Sequence, residues 1–235
     1  MCGRYVVSFS DLDIKKKFNL KKTQKIERNF NISPSSFAPI ILNIKNNTLL
    51  VNSYWGFERS WIKKKSSKNS IYNARLEGIF KKETFKNIFY SQRCLVPVSG
   101  FYEWSGPKNN RNPYYIKDVK KNIIYFAGLW EERRSCIGHS KSNNKKSQAV
   151  EYAFLILTVG STKPLKNIHH RMPVIVDTNF SDIWLSGLGS EFSSEIFKKN
   201  INYEIIPVEK NINNEGSLDV KATSKLKHPK QELLI

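Results

Sequence analysis

The chain has 235 residues, 40% of them hydrophobic and 12% aromatic, enough to bury one sizeable core without a second domain. Lysine and arginine number 39 against 20 aspartate and glutamate, a net charge of +19 that points to an acidic polymer, nucleic acid first, and away from a small neutral substrate; lysines scattered over a solvated face are the bland alternative. Three cysteines (Cys2, Cys94, Cys136) form no disulfide framework, Cys136 and His139 lack a second pair for zinc, and no apolar run approaches the roughly 20 residues that span a bilayer. The expectation is therefore a soluble, unexported protein without metal or cofactor, cytoplasmic and, in a bacterium, nucleoid-associated.

In chain order, Met1-Cys2-Gly3-Arg4-Tyr5 comes first. Methionine before a small residue is normally trimmed, so Cys2 is the expected mature N-terminus, joining an α-amine of pKa about 7.7–8.0 to a thiol of about 8.5. Such a 1,2-aminothiol condenses with an aldehyde to a five-membered thiazolidine; a cysteine that follows the start codon by chance is the other reading. Arg4 to Phe9 reads as a strand, and Ser10-Asp11-Leu12-Asp13 as a capping box opening a helix through Phe18. Asn29 to Pro39 is rich in turn formers, and Ile40–Ile44 with Leu49–Phe57 form a hairpin about Lys45-Asn46-Asn47. Ser60 to Ser70 mixes Trp61 with four lysines, a composition shared by single-strand binders and by solvated loops.

Periodic apolar residues from Leu76 to Tyr90 predict one helix, with Asn73 and Arg75 at its start, where an anion would be favoured or where Asn73 merely caps. Arg93 to Trp104 reads as a single strand. Glu103, the only acid in that apolar and aromatic stretch, is either a desolvated proton carrier or an acid paired to a buried cation, and Cys94 is a core residue. Strands follow at Tyr114–Lys117, Ile123–Trp130 and, after a polar loop over Arg133–Gln148, at Tyr152–Val159 leading into Thr158-Val159-Gly160. His169-His170-Arg171 precedes the apolar Met172–Val176; adjacent histidines on extended backbone face opposite ways and cannot readily share a metal. Helices are expected over Asp177–Gly187 and Glu191–Asn200, a last strand over Tyr203–Glu209, and a loosely ordered basic tail from Asn211.

Taken in order, Met1-Cys2-Gly3-Arg4, Asn31-Ile32-Ser33-Pro34 with Pro39, Trp55-Gly56, Asn73-Ala74-Arg75, Cys94 to Val98 with Gly100 to Trp104, and His169-His170-Arg171-Met172-Pro173 resemble the SOS response-associated peptidase (SRAP) family, the abasic-site processing proteins. The resemblance runs from residue 1 to about 210. It implies a single α+β domain over 1–210, a curved, mostly antiparallel, barrel-like sheet with flanking helices, and a basic tail over 211–235. It further implies a monomer that binds single-stranded DNA containing abasic sites and captures the ring-opened deoxyribose as a thiazolidine on Cys2, with a lyase-type or peptidase-family (hydrolase) assignment. Residue by residue, Cys2 is the implied nucleophile, Asn73 orients the sugar, Glu103 and His169 are acid/base groups, and Arg4, Arg75 and Arg171 contact phosphates with Trp104 and Thr158 beside the site. Phe57 stands where leucine is commoner, His170 where an acid often follows the histidine, and Arg133–Gln148 is a longer insertion. The rival from another class is an N-terminal-nucleophile hydrolase of the glutamine amidotransferase or peptidase kind, in which the same cysteine attacks an amide and an oxyanion hole is required. A noncatalytic nucleic-acid-binding module is the third reading.

Overall fold

The apolar residues after Gly3 form strand β1 (Arg4–Val7), whose Tyr5 and Val7 enter the main core while Val6 faces a smaller second cluster. The computed structural model describes residues 3–57, 70–81, 83–107, 109–120, 123–134, 150–187, 196–197 and 201–213. Cys2, Trp61, Cys136, His139 and almost all of the helix expected over Glu191–Asn200 lie outside the described residues, as does the tail beyond 213.

Ser10 caps helix α1 (Asp11–Phe18) as its capping box predicts: its hydroxyl accepts from the Asp13 N–H while Asp13 accepts from the Ser10 N–H at 3.0 Å. Strand β2 (Asn29–Ile32) forms inside the stretch expected to be loop. The hairpin is β3 (Phe37–Ile44) and β4 (Asn47–Trp55), joined by Lys45-Asn46 with φ of 50° and 63°, the two left-handed residues of a tight turn whose twist suits a hairpin. The helix expected over Leu76–Tyr90 divides into a 3-10 turn over Leu76–Lys81 and α2 (Glu83–Ser91), and Asn73 and Arg75, expected at its start, lie instead on a strand, β5 (Asn73–Arg75). Tertiary pairing overrides periodicity here, because β5 runs parallel to a distant strand.

The strand expected over Arg93–Trp104 also divides, into β6 (Arg93–Val98) and β7 (Gly100–Ser105), which belong to different sheets. Then follow β8 (Asn112–Asp118), β9 (Ile124–Arg134), β10 (Val150–Gly160), β11 (Arg171–Pro173), β12 (Ile175–Val176), α3 (Ser181–Ser186) and β13 (Tyr203–Pro207). One sheet is antiparallel in the order β13-β8-β7-β1-β2. The other runs β11-β10-β4-β3-β6-β9-β12, and an additional β9–β10 ladder closes β10, β4, β3, β6 and β9 into a ring. The sheet-rich α+β architecture with a curled, mostly antiparallel sheet thus agrees with expectation.

Gly128 permits that closure. It pairs with Cys94 on one side and Ile156 on the other, and a Cβ there would lie 2.8 Å from both Cys94 Sγ and the Leu155 carbonyl oxygen. Trp55 stacks on Phe154 at 6.1 Å between ring centres and meets Tyr5 at 5.1 Å, which fastens the first sheet onto the ring. Each such buried aromatic contributes on the order of 1.5–3 kcal/mol. Among the described residues no helix is long and apolar enough to cross a membrane.

Candidate active site

The two halves of the site come from different sheets. On the ring, β5 pairs with β10 (Asn73 with Ile156, Arg75 with Thr158) and β11 pairs with the same end of β10 (Thr158 with Pro173, Gly160 with Arg171). Because paired residues share a face and alternate residues repeat it, Asn73, Arg75, Thr158 and Arg171 all project from one side of three adjacent strands. Arg75 is exposed, Asn73 half-buried, and Thr158 and Arg171 buried.

His169 sits on the turn between β10 and β11. Its N–H donates to the Leu165 carbonyl at 3.0 Å, and the Ser161 N–H donates to the His170 carbonyl at 3.1 Å, so the turn is closed on itself. His170 is exposed and lies against the His169 ring at 4.4 Å between centres; His169 is the member of the pair that reaches Glu103, with Nδ1 3.9 Å from Oε2. The same Nδ1 is 3.1 Å from the Arg171 N–H nitrogen and 3.0 Å from the Arg171 carbonyl oxygen. In the neutral ring it accepts from the amide, which leaves the proton on Nε2; protonated, it donates to the carbonyl.

Glu103 is only 4% exposed on β7. Burial pushes its carboxyl up to about 7, against the lowering pull of the Trp104 N–H and of Arg111. Burial moves His169 the other way, below the ordinary histidine value, with His170 and Arg111 adding to the effect and the Arg171 carbonyl opposing it. Between the two values the pair carries its single proton on the carboxyl. The arrangement can therefore offer an acid and a base to one substrate near neutral pH.

Arg171 is held more firmly than the sequence suggests. Nη1 and Nη2 donate to Glu77 Oε1 and Oε2 at 2.7 and 3.0 Å, and Nη2 also donates to the Thr158 carbonyl at 2.6 Å and its hydroxyl at 3.1 Å. These bonds bring the Glu77 carboxyl down to about 2. Glu77 escaped the sequence reading; the available signal was an acid two residues beyond Arg75, which the helical pattern made look like an ordinary first-turn glutamate.

Arg4 and Trp104 are not on the Glu103 face. Arg4 pairs directly with Tyr102 across β1 and β7, and alternation turns Arg4, Tyr102 and Trp104 to the side of the smaller cluster with Val6 and Tyr115. There Arg4 Nη1 donates to Asn31 Oδ1 at 2.9 Å, and Asn31 is itself fixed by donating to the Ile212 carbonyl at 3.3 Å. Cys94 is a fully buried core thiol whose pKa burial raises. Among the described residues no three His, Cys, Asp or Glu side chains gather as a metal site would need.

A curled, mostly antiparallel sheet with a buried acid 3.9 Å from a partly buried histidine at the junction of two sheets defines the class of this β-rich domain. The chain belongs to the SOS response associated peptidase (SRAP) family, whose model matches residues 1–215. It is 30% identical over 191 residues to the abasic site processing protein YoqW of Bacillus subtilis, covering 79% of this chain and 80% of that one. It is 25% identical over 223 residues to the abasic site processing protein HMCES of Xenopus tropicalis, of which it spans 63%. A crystal structure of a Bacteroides thetaiotaomicron protein shares the fold with a TM-score of 0.76 at 19% identity, covering 96% of this chain and all of that one.

Proposed function

We propose that the protein binds single-stranded DNA at abasic sites and forms a covalent crosslink through Cys2. The Glu103–His169 pair, 3.9 Å apart with the carboxyl poised near 7, is the observation that carries this reading. Arg4 pairs with Tyr102, so continuing the antiparallel register by one residue sets Gly3, the chain neighbour of Cys2, against Glu103. The net charge of +19 supports an acidic polymer, and the relatives' names supply the lesion.

The chemistry balances without a cofactor. With Met1 removed, the Cys2 amine adds to the aldehyde carbon of the ring-opened deoxyribose, and the carbinolamine loses one water as Glu103 delivers a proton to the departing hydroxyl. The thiol sulfur then adds to the imine carbon while its proton passes to the nitrogen, closing the thiazolidine. His169 accepts and returns protons in these steps, and Asn73 orients the opened sugar. Thr158, buried behind the Arg171 guanidinium, supports the site, while Trp104 faces away from Glu103 on the other side of β7. The exposed Arg75 contacts phosphate with Arg171 beside it, the Arg171 charge partly neutralised by Glu77, whereas Arg4, expected to do the same, is turned to the other face and donates to Asn31.

On a denaturing gel, wild-type protein mixed with abasic single-stranded DNA should give a shifted covalent band that Cys2→Ala lacks while retaining DNA association. A band of equal intensity from Cys2→Ala removes the proposed nucleophile. For Arg75→Ala, the slope of log affinity against log salt should fall by about 0.7, one phosphate contact on a single strand, in a fluorescence-anisotropy titration. An unaltered slope would take Arg75 off the DNA.

A further inference from the structure

The sequence aligns Glu77 with nothing in the chemistry, yet it makes the shortest side-chain ion pair of the site. Its two oxygens grip the Arg171 guanidinium in a bidentate pair at 2.7 and 3.0 Å, and Oε1 also accepts from the Gly160 N–H at 3.2 Å. A carboxylate that spans the 3-10 turn, the end of β10 and the start of β11 does more than neutralise a cation. Gly160 and Arg171 are themselves paired across β10 and β11, and they flank the turn that carries His169. The Arg171 amide then donates to His169 Nδ1 at 3.1 Å, the bond that fixes the neutral ring's tautomer and its aim toward Glu103.

We infer that Glu77 is a positioning residue for the reaction: it holds Arg171, and through the Arg171 backbone the His169 ring, in the working orientation. This rests on the crosslinking role proposed for the pair. Half-exposure of Glu77 is no objection, because bidentate geometry and the added backbone donor supply the order that a single surface ion pair lacks. A second consequence runs the opposite way from binding: the carboxylate competes with DNA phosphate for the same guanidinium, so its removal frees a cation at the site.

The test follows single-turnover crosslinking of abasic single-stranded DNA against DNA concentration for wild type, Glu77→Ala and Glu77→Asp. Alanine should lower the rate at saturating DNA by about tenfold or more, without raising the half-saturating concentration, and aspartate should recover part of the rate. A wild-type maximal rate in Glu77→Ala, or a raised half-saturating concentration at constant maximal rate, would overturn the proposal. The histidine ring ¹⁵N spectrum provides a readout independent of activity. Wild type should show His169 with its proton on Nε2, and Glu77→Ala should lose that single tautomer at an unchanged melting temperature. Superimposable spectra would also overturn it. A wild-type protein that forms no covalent band would defeat the crosslinking reading alone, and the ring spectra would still decide the role of Glu77.

Discussion

Glu103→Gln should slow crosslinking to an abasic single strand by about 10²–10⁴-fold, the range lost with a general acid or base, while the half-saturating DNA concentration stays near that of the wild type. The amide keeps the volume and hydrogen-bonding capacity of the acid and discards only its proton. The side chain is 4% exposed and has no direct route to phosphate, so binding and chemistry separate at this residue. The wild-type pH profile identifies the active form. Proton delivery needs the acid protonated, so the rate should decline as pH rises through about 7, where the carboxyl ionises. Proton acceptance needs His169 neutral, and burial has lowered its pKa, so the acid-side limb lies below the ordinary histidine value. In Glu103→Gln the residual rate should lose the limb near 7; a limb that persists assigns it to another group. Equal losses of affinity and rate would remove Glu103 from the chemistry.

The second large effect is on stability, and it has the opposite sign to that of most carboxylates. The folded-state pKa of Glu103, about 7, lies above the 4.5 of the free side chain. Between those values the native state keeps a proton that the unfolded chain releases, so the wild type loses stability as pH rises from 4.5 to 7, reaching a cost of up to about 3 kcal/mol above it. Glutamine carries no such penalty. Denaturant unfolding at pH 4 and pH 8 should therefore show Glu103→Gln gaining on the wild type by up to about 3 kcal/mol over that interval. Groups common to both proteins, the Glu77 carboxyl among them, cancel in the difference. Parallel curves for the two proteins would mean that Glu103 is not desolvated as its burial implies. A site residue that makes the fold less stable at neutral pH is the expected exchange where burial has been used to tune a proton carrier.

Local chemistry was the legible part of this chain. The Ser10–Asp13 capping box, the hairpin about Lys45-Asn46 and the long apolar strand before Gly160 follow from residues within a few positions of one another. Pairing at a distance was not legible. Asn73–Arg75 looked like a helix start because the apolar spacing after it is helical, but its backbone is taken by Ile156 to Thr158. Likewise Arg93–Trp104 looked continuous, since nothing local reveals that the chain changes sheets at Ser99 and Gly100, where a Cβ on Gly100 would meet the Tyr115 ring at 2.6 Å. Glu77 and Arg171 are 94 positions apart, so neither residue announces the other. The opposite facing of Glu103 and Trp104 is local, because adjacent residues on a strand point to opposite sides and cannot both enter one cleft.

The proposed crosslink requires a trimmed amino-terminal cysteine that joins to an aldehyde through both of its heteroatoms. Intact-mass spectrometry of the product formed with an abasic oligonucleotide tests this most directly. The predicted mass is that of the oligonucleotide plus the protein without Met1, less one water. A covalent product that still carries Met1 would contradict it.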